Sequence, residues 1–81
     1  MTVRVLLFAA LREAVGTGEL RVSLARESTG SDLLDTLGAE HPEIARQRPF
    51  LRLAVNRRYV RGDVALGDGD EVALITPVSG G

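Results

Sequence analysis

The 81-residue sequence contains no cysteine and no lysine, and each absence excludes a kind of chemistry. Without cysteine the chain can form no disulfide, no thiolate metal site and no thiol nucleophile. All ten basic residues are arginines, so the chain has no lysine to form a Schiff base or to accept an isopeptide bond. Any sulfur chemistry must therefore take place on a group other than a cysteine side chain.

Charge and hydropathy argue against two further classes of partner. Ten arginines and eleven acidic residues give a net charge of −1 without a basic stripe, so nothing in the sequence favours nucleic-acid binding. No apolar run approaches the roughly 20 residues that cross a membrane. The apolar run 5–11 is followed directly by Arg12 and Glu13 and by no small-residue cleavage site, unlike an export signal. We therefore expect a cytoplasmic protein.

Apolar periodicity predicts the elements of the fold. Alternating side chains predict strands at 3–8, 19–24, 50–56, 59–61 and 71–76. A short helix follows the first strand and ends at Gly16, which is placed as a terminator. The main helix begins with a capping box, in which Thr29 is the N-cap and Asp32 stands three residues later, and it stops before Pro42. Ile44 anchors one further helical turn.

The order of these elements is β, short α, β, long α, β, short β, β, which predicts an α+β domain in two layers. One main helix and short helical turns would pack on a mixed sheet of four to five strands, as in the ubiquitin-like β-grasp arrangement. We expect residues 1–76 to form this domain and residues 77–81 to form a flexible C-terminal tail.

Strand parity places apolar side chains on the face of the sheet that the main helix does not cover. The residues in this group are Leu6, Phe8, Ala54, Tyr59, Ala73 and Ile75. Single apolar residues scattered over a surface need no explanation, whereas a contiguous exposed group marks a docking surface. We interpret this group as a docking surface because its members come from strands that should be neighbours.

Other motifs do not form a self-contained active site. Asp68, Asp70 and Glu71 lack the ligand spacing of an EF-hand, and we interpret that stretch as a hairpin turn. The only histidine, His41, precedes Pro42 at a helix end, where it would stabilise the helix dipole. No serine has a plausible histidine partner for a catalytic triad, and we predict neither a bound metal nor a bound cofactor.

The chain ends in ITPVSGG, and its two terminal glycines have no side chains to add to a core. Thr76 and Pro77 end the last strand, since proline donates no backbone hydrogen bond. The following residues would project as an arm that is narrow enough to thread a slot in which any Cβ would clash. Such an arm delivers its own end, the Gly81 carboxylate, into the active site of a partner.

A carboxylate is a poor electrophile, so its use requires activation, most simply as an acyl adenylate formed from ATP. A sulfur nucleophile would convert the adenylate into a thiocarboxylate, which carries sulfur without a cysteine, whereas an amine would give an amide. The residues at Gly81 leave both fates open, so a sulfur carrier and a ubiquitin-like modifier of lysines are both candidates. A β-grasp binding module with incidental glycines is a third.

Two stretches connect the sequence to a known family. They are VRVLLFAALREAVG at the start and GDGDEVALITPVSGG at the end, with a matching length between them. Over its whole length the chain resembles the small subunit of molybdopterin synthase, the MoaD family of sulfur carriers. The C-terminal motif is fairly specific because turn, strand, Pro-Val and Gly-Gly occur at fixed spacing. The sequence departs from the family at Thr76, where a second proline is common, and at Ile75, where an aromatic residue is common.

The resemblance implies a subunit that donates sulfur to an active site whose catalytic residues belong to the large subunit. An E1-like enzyme would use ATP to adenylate Gly81, and a sulfur donor would supply the thiocarboxylate sulfur. Gly80 and Gly81 would then enter the large subunit, which forms the dithiolene of molybdopterin, in a heterotetramer of two small and two large subunits. The implied partner contacts are Phe8, Tyr59, Ile75, Pro77, Val78 and Ser79. Sulfur carriers for thiamin, cysteine or tRNA thiolation are alternatives that share the tail.

Overall fold

The computed structural model describes residues 1–76, which form five strands, three α-helices and one 3₁₀ helix. In chain order these are β1 (Thr2–Leu6), α1 (Ala9–Val15), β2 (Glu19–Ser23), α2 (Gly30–Glu40), α3 (Pro42–Gln47), the 3₁₀ helix (Arg48–Phe50), β3 (Arg52–Val55), β4 (Arg58–Tyr59) and β5 (Glu71–Ile75). The sheet order is β2-β1-β5-β3-β4, with β1 and β5 parallel and the other neighbours antiparallel. The predicted α+β class, with a mixed sheet and one main helix, is confirmed.

The main helix α2 begins at the capping box that the sequence predicts. The Asp32 N–H donates to Thr29 Oγ1 at 3.3 Å, and the Thr29 N–H donates to the Asp32 carboxylate at 2.8 Å. These two bonds satisfy donors that would otherwise lack a partner at the start of the helix. The helix ends at Glu40 and Pro42 opens α3, because the residue before a proline is disfavoured from helical backbone.

The core lies between α2 and one face of the sheet. Alternate residues of β1 and β5 are fully buried on this face, opposite Leu33 and Leu37 of α2. Gly30 lets the start of the helix approach β3, because a Cβ there would lie 2.8 Å from Leu53 Cδ1. The predicted inward parity of the strands is confirmed. The buried core consists of Val3, Val5, Leu7, Leu11, Leu33, Leu37, Ile44, Leu66, Val72 and Leu74.

The first strand is shorter than the sequence predicts. β1 ends at Leu6 instead of Phe8, because the Phe8 carbonyl accepts the N–H groups of Leu11 and Arg12 and so starts α1. Gly16 ends that helix with φ of 92°, a left-handed backbone that favours glycine. The predicted terminator is therefore correct, and the boundary error lies at the end of β1.

The third and fourth strands form a short hairpin at the edge of the sheet. β3 begins only after the 3₁₀ helix, and β4 is two residues long. Asn56 and Arg57 join them with positive φ of 51° and 71°, the backbone that a type I′ two-residue turn requires. Beyond β4 the Val60 N–H donates to the Leu53 carbonyl at 3.0 Å, so the antiparallel pairing continues past the strand.

The turn before β5 is not a hairpin turn, and the sequence prediction was wrong on this point. β5 pairs with β1 and β3 and not with the segment that precedes it. The turn instead lies against the start of β1, where Asp68 Oδ1 accepts the Thr2 N–H at 2.7 Å. Asp70 accepts the Gly67 N–H at 2.7 Å and the Asn56 side-chain amide at 3.0 Å. Both carboxylates thus serve as hydrogen-bond acceptors within the chain.

Candidate functional site

The face of the sheet opposite α2, called the outer face below, carries a row of aligned side chains across four strands. Leu6 of β1 pairs with Ala73 of β5, Ala73 pairs with Ala54 of β3, and Ala54 pairs with Tyr59 of β4. Residues in register project to the same face of a sheet. The register therefore brings together residues that strand parity alone assigned to this face.

Ile75 and Phe8 extend this row. Ile75 stands two positions beyond Ala73 on β5, and Phe8 stands two positions beyond Leu6 at the start of α1. Phe8 exposes 49% of its surface and Tyr59 exposes 68%, whereas Leu6 and Ile75 are half-buried. We call these residues the apolar patch: Leu6, Phe8, Ala54, Tyr59, Ala73 and Ile75.

The centre of the apolar patch is shallow. Ala54 and Ala73 are 9% and 8% exposed, and they stand between the larger side chains of Leu6 and Tyr59. The two alanines are thus largely covered, and the exposed large apolar side chains of the patch are Phe8 and Tyr59. Exposed apolar area of this kind favours association, because covering it removes it from water.

Ion pairs close the side of the apolar patch nearest the start of β5. Arg4 lies 3.4 Å from Glu19 and 3.1 Å from Glu71, and Arg57 lies 3.9 Å from the same Glu71. Exposed pairs of this kind contribute less than about 1 kcal/mol each to stability. Their effect here is to pair Arg4 and Arg57 with carboxylates, whereas Arg21, the register partner of Arg4, forms no ion pair within residues 1–76.

The chain leaves the sheet beside the apolar patch. β5 lies at the centre of the sheet and ends at Ile75, and Thr76 is the last described residue. The structure places Phe8, Tyr59 and Ile75 on the outer face, and their role in docking stays a prediction. The other predicted site residues, and the division into a domain and a tail, lie outside the described residues and also stay predictions: Pro77, Val78, Ser79, Gly80 and Gly81.

Asp63 has a structural role that the sequence analysis did not predict. Its Oδ1 accepts the Ser31 N–H at 2.9 Å and the Val64 N–H at 3.2 Å, which ties this loop to the first turn of α2. The hydrogen bond from Ser31, followed by one from the Thr29 side chain, lowers the pKa of Asp63 below its ordinary value of 3.8. Ser31 and Asp63 are 32 residues apart, so no local pattern reveals their contact.

We expect Asp63→Asn to lower the free energy of unfolding at pH 7. The asparagine oxygen still accepts hydrogen bonds but carries no charge. Because the folded-state pKa of Asp63 lies below the unfolded one, the ionised carboxylate stabilises the fold above the unfolded pKa. That contribution is lost as the pH falls through the folded pKa, so the difference from wild type should be largest above about pH 5 and shrink below about pH 4.

Urea unfolding of both proteins between about pH 3 and pH 7 measures this difference. Glu13→Gln, which removes an exposed carboxylate from α1, controls for net charge. A difference between Asp63→Asn and wild type that stays constant over this pH range would contradict the assignment.

Within the described part of the chain, neither a metal centre nor a membrane span is found. No three carboxylates or imidazoles in residues 1–76 are grouped so that they could hold an ion. No helix in the same range is long and apolar enough to cross a bilayer. The single histidine, His41, lies between α2 and α3. Its backbone N–H donates to the Leu37 carbonyl at 2.8 Å. Its influence on the helix dipole stays a prediction.

A mixed sheet in the order β2-β1-β5-β3-β4, with one main helix on its inner face, defines a ubiquitin-like β-grasp protein. The ThiS family matches residues 5–81, and the chain belongs to that family. It is 41% identical over 83 residues to the molybdopterin synthase sulfur carrier subunit of Chlamydomonas reinhardtii, and the match covers 100% of both chains. The resemblance to sulfur carriers that the sequence shows is thereby confirmed.

Two solved structures share the fold. SAMP1 of Haloferax volcanii, a small archaeal modifier protein, matches with a TM-score of 0.83 and 31% identity over 100% of both chains. A subunit in the complex of subunits 1 and 2 of the molybdopterin-converting factor of Helicobacter pylori matches with a TM-score of 0.70 over 100% of both chains. Its identity of 21% shows the fold alone. The predicted β-grasp class is confirmed.

Proposed function

We propose that this protein is the sulfur-carrier subunit of a molybdopterin synthase and that the Gly81 carboxylate carries the sulfur. The observation behind the proposal is that the central strand β5, which leads to Gly80 and Gly81, ends beside an exposed apolar patch. A partner that covers the patch would thus receive the end of the chain. The full-length likeness to a sulfur carrier subunit of that enzyme supports this choice of pathway.

The chemistry begins with activation of the C-terminal carboxylate. A carboxylate oxygen of Gly81 attacks the α-phosphorus of ATP, pyrophosphate leaves, and an acyl adenylate forms. A sulfur nucleophile such as hydrosulfide then attacks the acyl carbon, AMP leaves, and the product is a thiocarboxylate. Glycine suits both steps because no side chain hinders the acyl carbon.

Both steps and the later transfer take place in the active sites of partners. An E1-like enzyme binds the ATP, and the large subunit supplies the catalytic groups that act on the pterin precursor. The dithiolene of molybdopterin contains two sulfurs, so the carrier is reloaded and used again. The carrier itself holds no cofactor, and we place the cycle in the cytoplasm, where ATP is available.

The large subunit is the proposed partner for the apolar patch. The Helicobacter pylori structure contains subunit 1 together with subunit 2, and the Chlamydomonas reinhardtii relative is named as a subunit, which supports such an assembly. A heterotetramer of two small and two large subunits is the form that we expect. Complete burial of an exposed aromatic side chain such as Tyr59 contributes about 1.5–3 kcal/mol, part of which offsets the entropy lost on association.

Alkylation with a thiol-directed reagent tests the sulfur-carrier function. The protein is incubated with ATP, a sulfur source and an activating enzyme and is then analysed by intact mass. Because the chain contains no cysteine, any specific label must sit on a thiocarboxylate. We expect one label on the wild type and none on a variant that lacks Gly81. Absence of label on the wild type, with an enzyme that loads a known carrier, would overturn the function.

Transfer to the pterin precursor tests the pathway. The thiocarboxylated protein is mixed with the large subunit, and the formation of molybdopterin is followed. We expect molybdopterin to form while the fraction of protein that a later alkylation can label falls. A protein that is loaded with sulfur but transfers none would be a carrier for another pathway.

A ubiquitin-like modifier is the second candidate function, and the likeness to SAMP1 of Haloferax volcanii favours it. In that case the activated Gly81 would form an amide with a lysine of another protein. Stable Gly81 adducts on cellular lysines, found by mass spectrometry of digested conjugates, would support this function. The same experiment with a Gly81-deleted chain is the control.

A further inference from the structure

Arg52 and Arg61 stand where the apolar patch meets the end of β5. Arg52 pairs in register with Ile75, the last residue of that strand. The Val60 N–H donates to the Leu53 carbonyl at 3.0 Å, so continued antiparallel pairing places Arg61 opposite Arg52. Two guanidinium groups therefore stand near the point at which the chain leaves the sheet.

These two arginines form no ion pair in the described part of the protein. Both are exposed, and they also reach a groove of about 460 Å³ that opens at the sheet edge, between α2 and the β3–β4 hairpin, and is separate from the apolar patch. Within residues 1–76 neither guanidinium forms an ion pair. The carboxylate that lines the groove, Asp63, is engaged with two backbone N–H groups of the chain.

The arginines at the border of the apolar patch differ in their ion pairs. On one side Arg4 is neutralised by two carboxylates, Glu19 and Glu71, at 3.4 and 3.1 Å. On the other side Arg52 and Arg61 are like charges in neighbouring positions, and both lie beyond ion-pair distance of every carboxylate in residues 1–76. A partner that covers the patch also removes water from this border, and a cation without water or a counter-ion is strongly unfavourable.

We propose that the large subunit covers the apolar patch with a surface whose border carries carboxylates, and that these carboxylates pair with Arg52 and Arg61. This inference rests on the proposed function, since it names the chemistry of the partner surface that receives the chain end. A planar guanidinium suits the role because it donates two parallel hydrogen bonds to one carboxylate. Apolar contact supplies affinity, and the charge pairs fix the orientation in which β5 points its end at the partner.

The test measures binding of two charge-reversed variants to the purified large subunit by titration calorimetry. R52E/R61E reverses the proposed contacts, and R21E/R26E makes the same change in net charge near β2, at the opposite edge of the sheet. We expect R52E/R61E to bind at least about tenfold more weakly than the wild type at about 50 mM salt. We expect R21E/R26E to stay within about threefold, because long-range charge alone acts weakly on a docked complex.

Salt provides the second readout. Wild-type affinity should fall between about 50 and 500 mM salt, and the affinity of R52E/R61E should fall less, since its attractive pairs are gone. R52Q/R61Q should also bind more weakly than the wild type, but by a smaller factor. If circular dichroism shows that R52E/R61E does not fold, R52Q/R61Q is used in its place. Equal binding of wild type and R52E/R61E, or equal weakening of both reversed variants, would overturn the inference.

The same experiment separates this inference from the proposed function. A wild-type protein that does not bind the large subunit would overturn both. A wild-type protein that binds and transfers sulfur, with R52E/R61E binding equally well, would overturn the arginine contacts alone.

Discussion

Gly80→Ala is expected to leave the free energy of unfolding unchanged and to lower the rate of sulfur transfer by about a hundredfold. Glycine has no side chain, so the substitution removes no packing contact from the domain. The added methyl group instead widens the chain directly beside the reacting carboxylate. If the partner slot fits only backbone, the methyl displaces the acyl carbon, and a displacement of about 1 Å lowers a rate by about 10²-fold.

Two rates are measured for this variant: formation of the thiocarboxylate with the activating enzyme and sulfur donation with the large subunit. Gly67→Ala is the matched control, because a Cβ at that position would meet the Asp70 carboxylate at an ordinary contact distance of 3.6 Å. It makes the same chemical change within the described domain and should alter neither rate. Unchanged sulfur transfer in Gly80→Ala would contradict the narrow-slot hypothesis for the chain end.

Elements whose signals are local in the sequence were predictable. The capping box joins Thr29 and Asp32, three residues apart, and so marks the start of α2 within a short stretch of sequence. The inward parity of β1 follows from alternation within the strand itself, with Val3 and Val5 buried and Arg4 exposed. A helix cap or an alternating strand is specified by neighbouring residues, so the sequence alone is enough to recognise it.

Features that depend on distant residues were not predictable to the same degree. The turn at 67–70 was misassigned because its role depends on β5 pairing with β1, a strand more than sixty residues earlier. The contact of Asp63 with Ser31 crosses 32 residues and leaves no trace in local pattern. Such contacts are selected by the packing of the whole domain, which a single sequence does not reveal.

The candidate site likewise combines features that the sequence predicts with features that it does not. Parity assigned Ala54, Ala73 and Tyr59 alike to the outer face, but their exposed fractions of 9%, 8% and 68% depend on which residues flank them in the finished sheet. Likewise, the position of Arg52 opposite Ile75 follows only from the register of β3 and β5. The composition of the apolar patch was thus predictable. The exposure of its members and the positions of the charged residues around it were not.

Ile75→Glu is expected to weaken binding to the large subunit by about a hundredfold or more while the domain stays folded. Ile75 is half-buried and lies on the outer face, so the free protein can keep the introduced carboxylate in contact with water. The new group also lies opposite Arg52, which reduces its cost in the free protein. In the complex it would lie within apolar contacts and lose that water, and it would compete for Arg52 with the carboxylates that we propose for the partner, so burial of the charge is unfavourable.

Leu74→Glu is the matched comparison because it makes a similar change one residue earlier on the same strand but on the opposite face. Leu74 is 1% exposed within the core, and an unpaired charge there costs several kcal/mol against a typical domain stability of about 5–15 kcal/mol, so we expect this variant to unfold. Circular dichroism and thermal unfolding distinguish the two variants before any binding is measured. Loss of the fold in Ile75→Glu would show that this side chain supports the domain instead of the interface. A folded Ile75→Glu that still binds and transfers sulfur would remove Ile75 from the docking surface and leave Phe8 and Tyr59 as its candidate anchors.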